Sequence, residues 1–195
     1  GNGANQGGRI TVNASGTVEQ IQSASWTVDG TAHTAAGTAR IVAGLSAWVS
    51  GSISAQGQLG GQIAITAPDL VVAGAQLNAN GDNGGGRIRV GGGWQGQSTD
   101  LTNANQTTVS GSTLQANAKQ SGDGGEVVVW SENRTLFGGE IQARGGDAAG
   151  NGGQVEVSSH GVLQYAGKVN VTAPQGQNGR LLLDPKNIEI VATAP

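Results

Sequence analysis

Cysteine and methionine are absent from the 195 residues, and proline occurs only four times. Without cysteine there is no disulfide framework and no thiolate metal site. A cysteine-free chain suits export through a pore in unfolded form. Charged residues make up only 12 % of the chain and aromatic residues 3 %. Ten Lys+Arg against thirteen Asp+Glu leave a net charge of −3, with no basic cluster. Nucleic-acid binding therefore has no electrostatic footing. No stretch approaches the ~20 consecutive apolar residues of a membrane-spanning helix. The chain opens with neither an initiator methionine nor a signal peptide, which predicts a mature or excised piece of something longer.

Glycine is abundant instead. Its 36 residues are more than twice the average share of about 7 %. Such composition can signal disorder, but short Val/Ile/Leu runs recur throughout the chain. A Gly-Gly-x-aliphatic-x-aliphatic unit appears as GGRITV (7–12), GGQIAI (60–65), GGRIRV (85–90), GGEVVV (124–129) and GGQVEV (152–157), with GRLLL (179–183) as a relaxed copy. Alternation inside each copy has period two, the mark of a strand with one buried face. A second piece follows: AWVSG (47–51), LVVAG (70–74), TTVSG (107–111), TLFGG (135–139) and LQYAG (163–167). A third comes next: SISAQG (52–57), AQLNANG (75–81), STLQANA (112–118), EIQARGG (140–146) and KVNVTAP (168–174).

Three short strands repeated in one fixed order predict an all-β fold: a right-handed, single-stranded parallel β-helix of about six or seven coils, equivalent strands stacking at roughly 4.8 Å. A β-sandwich is the rival, but hairpins do not predict a three-slot motif. Helix is disfavoured by the glycine content and the lack of i, i+3, i+4 apolar spacing. Ile63, Ile65, Ile88, Val90, Val127, Val129, Val155 and Val157 form the predicted inner ladders. Gln62, Arg87, Glu126 and Gln154 form an outer stack, in which Arg87 and Glu126 would pair on adjacent coils. Phe137 and Tyr165 share one slot and would stack. Residues 13–59 fit the template less well, so coil boundaries there are left open. The last residues, IEIVA, read as strand.

The stretch 122–191 resembles the passenger region of filamentous-haemagglutinin-type exoproteins of the two-partner secretion system. GGEVVVWS, the GGEIQARGG/NGGQVEVS succession and the closing LLLDPKNIEI carry the likeness. It implies a long parallel β-helix, secreted to the surface of a Gram-negative cell through a dedicated outer-membrane transporter, and acting as an adhesin, biofilm scaffold or stalk. The chain lacks the NPNG- and NPNL-like motifs of the family's amino-terminal secretion domain; DPKN (184–187) is the nearest string. Residues 1–195 thus read as one β-helix domain of the repeat region, a fragment of a longer exoprotein. The transporter would be engaged through a domain outside the chain.

Several sites can be weighed against this frame. The glycine pairs Gly60–Gly61, Gly85–Gly86, Gly124–Gly125 and Gly152–Gly153 could be phosphate cradles or coil corners. A Walker loop needs Gly-Lys-Ser/Thr entering a helix; these pairs enter strands and repeat, so corners with φ > 0 are expected. Some parallel β-helices are pectate-lyase-like enzymes. Asp82, Asp123 and Asp147 lie in glycine-rich returns, but no carboxylate pair stands at a defined spacing, so neither a catalytic residue nor a metal or other cofactor is assigned. His33 and His160 carry no motif, and no G-x-S-x-G elbow occurs.

Residues 91–106 form an inserted surface loop, about eleven residues longer than the equivalent connections. Trp94, Gln95, Gln97, Asp100 and Asn103 in this loop, together with Trp130, suit stacking on a sugar and bonding its hydroxyls. They also suit packing over the coil, with Trp94 covering apolar surface, and packing is the favoured reading. The functional expectations are a non-enzymatic adhesive shaft contacting host-cell or matrix glycans or proteins, a carbohydrate-binding module using the loop, or a polysaccharide-degrading β-helix.

Overall fold

The structure is a computed structural model and describes residues 7–186; the IEIVA segment lies outside the described residues. The first coil comprises β1 (Arg9–Ala14), β2 (Thr17–Gln20) and β3 (Ser25–Thr27). The second has β4 (Thr38–Ala43), β5 (Ser46–Val49) and β6 (Ser52–Ser54), and the third β7 (Gln62–Thr66), β8 (Asp69–Ala73) and β9 (Gln76–Asn78). In the fourth, β10 (Arg87–Val90) is followed by one long strand, β11 (Gln106–Gln115); in the fifth, β12 (Glu126–Val129) is followed by β13 (Arg134–Gln142). The sixth has β14 (Gln154–Val157), β15 (Val162–Tyr165) and β16 (Lys168–Asn170), and β17 (Arg180–Leu182) opens another turn.

Every pairing between these strands is parallel. A hairpin-built sandwich would pair its strands antiparallel, so the architecture is a β-solenoid of about six turns. The first sheet runs β1-β4-β7-β10-β12-β14-β17. The other ten strands form a second sheet, bent because β11 and β13 run through both of its faces. In β11 the corner takes Gly111 and Ser112 where β13 spends only Gly139, a one-residue irregularity in the ladder of the bulge type. Ser112 is buried there and ties the corner to the coil below, accepting from Ala75 N–H at 3.0 Å and donating to the Val72 carbonyl at 3.1 Å.

Period-two patterning decides the core. Ile63, Ile88, Val127 and Val155 stack in register, as do Ile65, Val90, Val129 and Val157, and all eight are 0 % exposed. Burying each such side chain contributes about 1.5–3 kcal/mol. The second slot stacks Val49, Val72, Val109, Phe137 and Tyr165, and the two aromatic rings lie 5.4 Å apart and nearly parallel. On the outer side, Arg87 Nε meets Glu126 Oε1 at 2.9 Å.

One open boundary is filled in and one expectation is corrected. The poorly matching stretch 13–59 contains a full coil whose first strand is Thr38–Ala43. Ala39 stacks on Ile63 and Ile41 on Ile65. A single Gly37 and a small Ala39 hid this copy of the template.

The glycine pairs do occupy corners, but not because of φ. Positive φ is confined to Gly74, Gly91, Gly96, Gly111, Gly122, Gly150 and Gln95 among the described residues. A Cβ on Gly61, Gly86, Gly125 or Gly153 would instead strike the carbonyl oxygen of Gly37, Gly61, Gly86 or Gly125 in the preceding coil. A Cβ on Gly60, Gly85, Gly124 or Gly152 would strike the carbonyl of Ala79, Ala116, Ala143 or Val171. Each pair therefore allows a close backbone approach, which only glycine tolerates.

Candidate functional site: the strap over the first sheet

The outward positions of the first sheet form a second register: Arg40, Ala64, Arg89, Val128, Glu156 and Leu182. Alternation alone would leave this row in water. Four of its members are instead buried: Ala64 at 3 %, Arg89 at 7 %, Val128 and Glu156 at 0 %. The covering element is the inserted loop. Four residues link β12 to β13, whereas fifteen link β10 to β11, and this strap folds back across the sheet.

Its attachments are specific. Arg89 donates to both carboxylate oxygens of Asp100, at 2.7 and 2.8 Å. Ser98 Oγ donates to Asp100 at 2.6 Å, and Arg40 donates to the Asp100 carbonyl. Thr66 Oγ1 donates to the Thr102 carbonyl. Asn103 Nδ2 reaches Gly96 O at 2.9 Å and Glu132 Oε1 at 3.0 Å. At the tip, a single 3₁₀ turn spans Trp94–Gly96, with Gln95 left-handed at φ 51°, ψ 27°. The Gln95 N–H donates to Glu156 Oε2 at 2.7 Å.

The sequence-predicted residues thus fall into two groups. Asp100 and Asn103 are clamps, and Gln95 contributes its backbone while its side chain is exposed. Trp94 is half-buried, with the Arg180 guanidinium 5.9 Å from its ring centroid. Gln97 is exposed at the rim. Arg87, Trp94, Gln97, Ser98, Thr99 and Glu126 lie along one cleft of about 290 Å³. Trp130 points outward from its strand but lies under the strap, 2 % exposed. Gly92 and Gly96 leave the room that lets the strap lie on its indole, and His160 meets the ring edge-on at 4.8 Å. A ring so enclosed has no face to offer a sugar, which corrects its inclusion among candidate glycan contacts.

Arg89, Glu156 and Glu132 were not singled out by sequence. The available signal was Val128, an apolar residue at an outward position beside an outward tryptophan: together they mark a roofed face.

The electrostatics are uneven along the strap. Hydrogen bonds from Arg89 and then Ser98 hold the Asp100 carboxyl well below its ordinary value, and the same contact raises the Arg89 pKa. Glu156 is shifted the other way. Burial pushes its pKa up, the Gln95 N–H opposes this, and Asp184 and Glu126 add to it. The Ser158 hydroxyl also pulls downward, but it makes no hydrogen bond to Glu156 Oε1, which has no protein partner.

The carboxylates in the glycine-rich returns serve turns and surface pairs. Asp123 accepts from Asn151 N–H at 2.7 Å, and Asp147 lies 3.7 Å from Arg144. Among the described residues no three His, Cys, Asp or Glu side chains converge as a metal would require.

No protein-family model matches the chain. No curated protein matches it either. Among solved structures, it is similar to the secretion domain of HMW1 from Haemophilus influenzae, with a TM-score of 0.68 and 27 % sequence identity. The likeness covers 92 % of this chain and 46 % of that one, so the chain spans less than half of that structure's length.

Proposed function

We propose that the chain is a segment of a secreted, two-partner-secretion-type exoprotein, working as an adhesive shaft on the bacterial surface and without catalysis. The observation that carries this reading is the unbroken parallel ladder, six coils deep, in which nearly every inward side chain is committed to packing. Such a rod is stiff and assembles coil by coil through nearest-neighbour stacking. Similarity to a secretion domain supports export, and the family resemblance of residues 122–191 supports an outer-membrane transporter as partner of the full-length protein. Within the exoprotein, the missing NPNG- and NPNL-like motifs favour the repeat shaft over the transporter-engaging domain.

The test is secretion of the full-length protein from a Gram-negative host, with and without its outer-membrane transporter. Transporter-dependent release that fails for the Val127→Asp/Val155→Asp double variant is expected, because those charges break two adjacent coils. Release without the transporter, or unaffected by the double variant, would sink the proposal. Direct binding of the purified chain to the transporter would relocate it to the secretion domain. Attachment of cells displaying the chain, compared with cells displaying an unrelated β-solenoid, tests the adhesive part.

A second reading is favoured by the cleft along the strap. Trp94 offers an aromatic surface beside the Gln97 amide and the hydroxyls of Ser98 and Thr99, a set suited to a glycan. Binding on a glycan array that is lost in Trp94→Ala supports it; no binding by either protein eliminates it.

A further inference from the structure

Glu156 is the one carboxylate of the described residues that is fully buried. Burying an ionised carboxylate is expensive unless it is paired and hydrogen-bonded. Here one oxygen accepts a single backbone N–H, and the other has no protein partner. The charged groups around it do not supply a counter-ion. On β10, Arg89 is committed to Asp100 of the strap. On β12, Glu126 is itself anionic and paired with Arg87. On β17 and beyond, Arg180 stands over Trp94 and Asp184 adds another negative charge. None forms an ion pair with Glu156. The donor that does reach it belongs to Gln95, the only non-glycine residue described with positive φ. Gly91 and Gly96 flank this tip at φ 81° and 68°, and Gly96 rests on the Trp130 ring.

We propose that the strap is a pH-dependent latch with Glu156 as its sensor: the tip at Gly93–Gln97 seats over the first sheet when the Glu156 carboxyl is protonated, and lifts when that carboxyl ionises. Lifting brings water to the carboxylate, lets Gln95 leave the left-handed region and uncovers Trp130 and Val128. The base of the strap stays in place, because Asp100–Arg89 and Asn103–Glu132 do not depend on the Glu156 proton.

The two carboxylates act with opposite sign. The Glu156 pKa is raised in the closed state, so its contribution is fully present below the ordinary glutamate range and is lost as pH rises through the raised value. The Asp100 pKa is depressed, so its contribution is present above the ordinary aspartate range and is lost only as pH falls well below it. The strap is tightest in the mildly acidic window between them.

Hydrogen exchange of the Gln95, Gly96 and Gln97 amides, corrected for the intrinsic pH dependence, tests this in the purified chain. Protection of the Gln95 amide is expected to fall by up to about tenfold per pH unit between the ordinary glutamate range and the raised closed-state titration of Glu156, and to level off above it, while the Ala104 amide, bonded to the Gly91 carbonyl, keeps its protection. In Glu156→Gln the profile is expected to be flat and closed. A wild-type profile already flat, or one that Glu156→Gln leaves unchanged, overturns the latch. Carbon-detected NMR of the wild-type Glu156 carboxyl provides a check independent of any substitution. Co-titration with the Gln95 amide supports the proposal, and a Gln95 amide that ignores the carboxyl overturns it. These readouts concern the strap alone, so they stand or fall separately from secretion and adhesion.

Discussion

Two of the outer faces of the solenoid follow the same rule in sequence and end in opposite environments. On the first sheet the outward row Ala64, Arg89, Val128 and Glu156 is sealed. On the second sheet the equivalent outward row is Glu19, Trp48, Val71, Thr108, Leu136 and Gln164, and Trp48 is 53 % exposed. The rows have the same strand parity. They differ because one insertion, between β10 and β11, crosses only the first sheet. The polar arginine and glutamate are therefore buried while a tryptophan stays in water. Burial on the outside of a solenoid is set by what the connections do, not by the alternation of the strands.

Substitutions can break this contrast at graded cost. Val127→Asp places a charge in the inner ladder, and it should abolish cooperative folding or remove about 4 kcal/mol or more, read by urea unfolding followed by circular dichroism. Gly125→Ala drives a methyl into the Gly86 carbonyl and should cost about 2–3 kcal/mol. Gly111→Ala, whose Cβ meets open space at φ 56°, should cost only about 1–2 kcal/mol. Equal costs for the two alanines would refute close approach as the reason for the glycine pairs.

Asp100→Ala leaves Arg89 buried without its partner and should cost about 2 kcal/mol. Cleavage at the strap in limited proteolysis should accelerate while the coils stay folded; a strap that resists as well as wild type would mean that the clamp is not Asp100–Arg89. In the wild type this clamp should survive acid to well below the ordinary aspartate range, because its carboxyl titrates there. The smallest effect is expected on the bare face, where Trp48→Ser should change stability by no more than about 0.5 kcal/mol.

Much of the interior was legible because it depends on short-range pattern repeated in phase. Alternation placed Ile63 and Val127 inward, and comparison of the copies put Arg87 beside Glu126 and Phe137 beside Tyr165. One coil escaped because Ala39 fills an inner position where other copies carry Ile or Val, so the apolar signal dropped. The role of the glycine pairs was misassigned because a backbone approach between coils leaves no trace within one copy. Glu156 and Arg89 were invisible for another reason: the groups that bury and bond them, Gln95 and Asp100, sit on a loop whose path the local pattern does not encode.

By itself, the sequence determined the all-β solenoid, its three-slot coil and its inner ladders, since period-two burial and in-phase repeats allow few other ways to remove that apolar surface from water. Only the tertiary structure decided which outer face is roofed, because the Gln95–Glu156 hydrogen bond joins residues 61 positions apart. A contact of that range depends on how the strap folds back, and the same fold-back turned Trp130 from an outward side chain into a buried one.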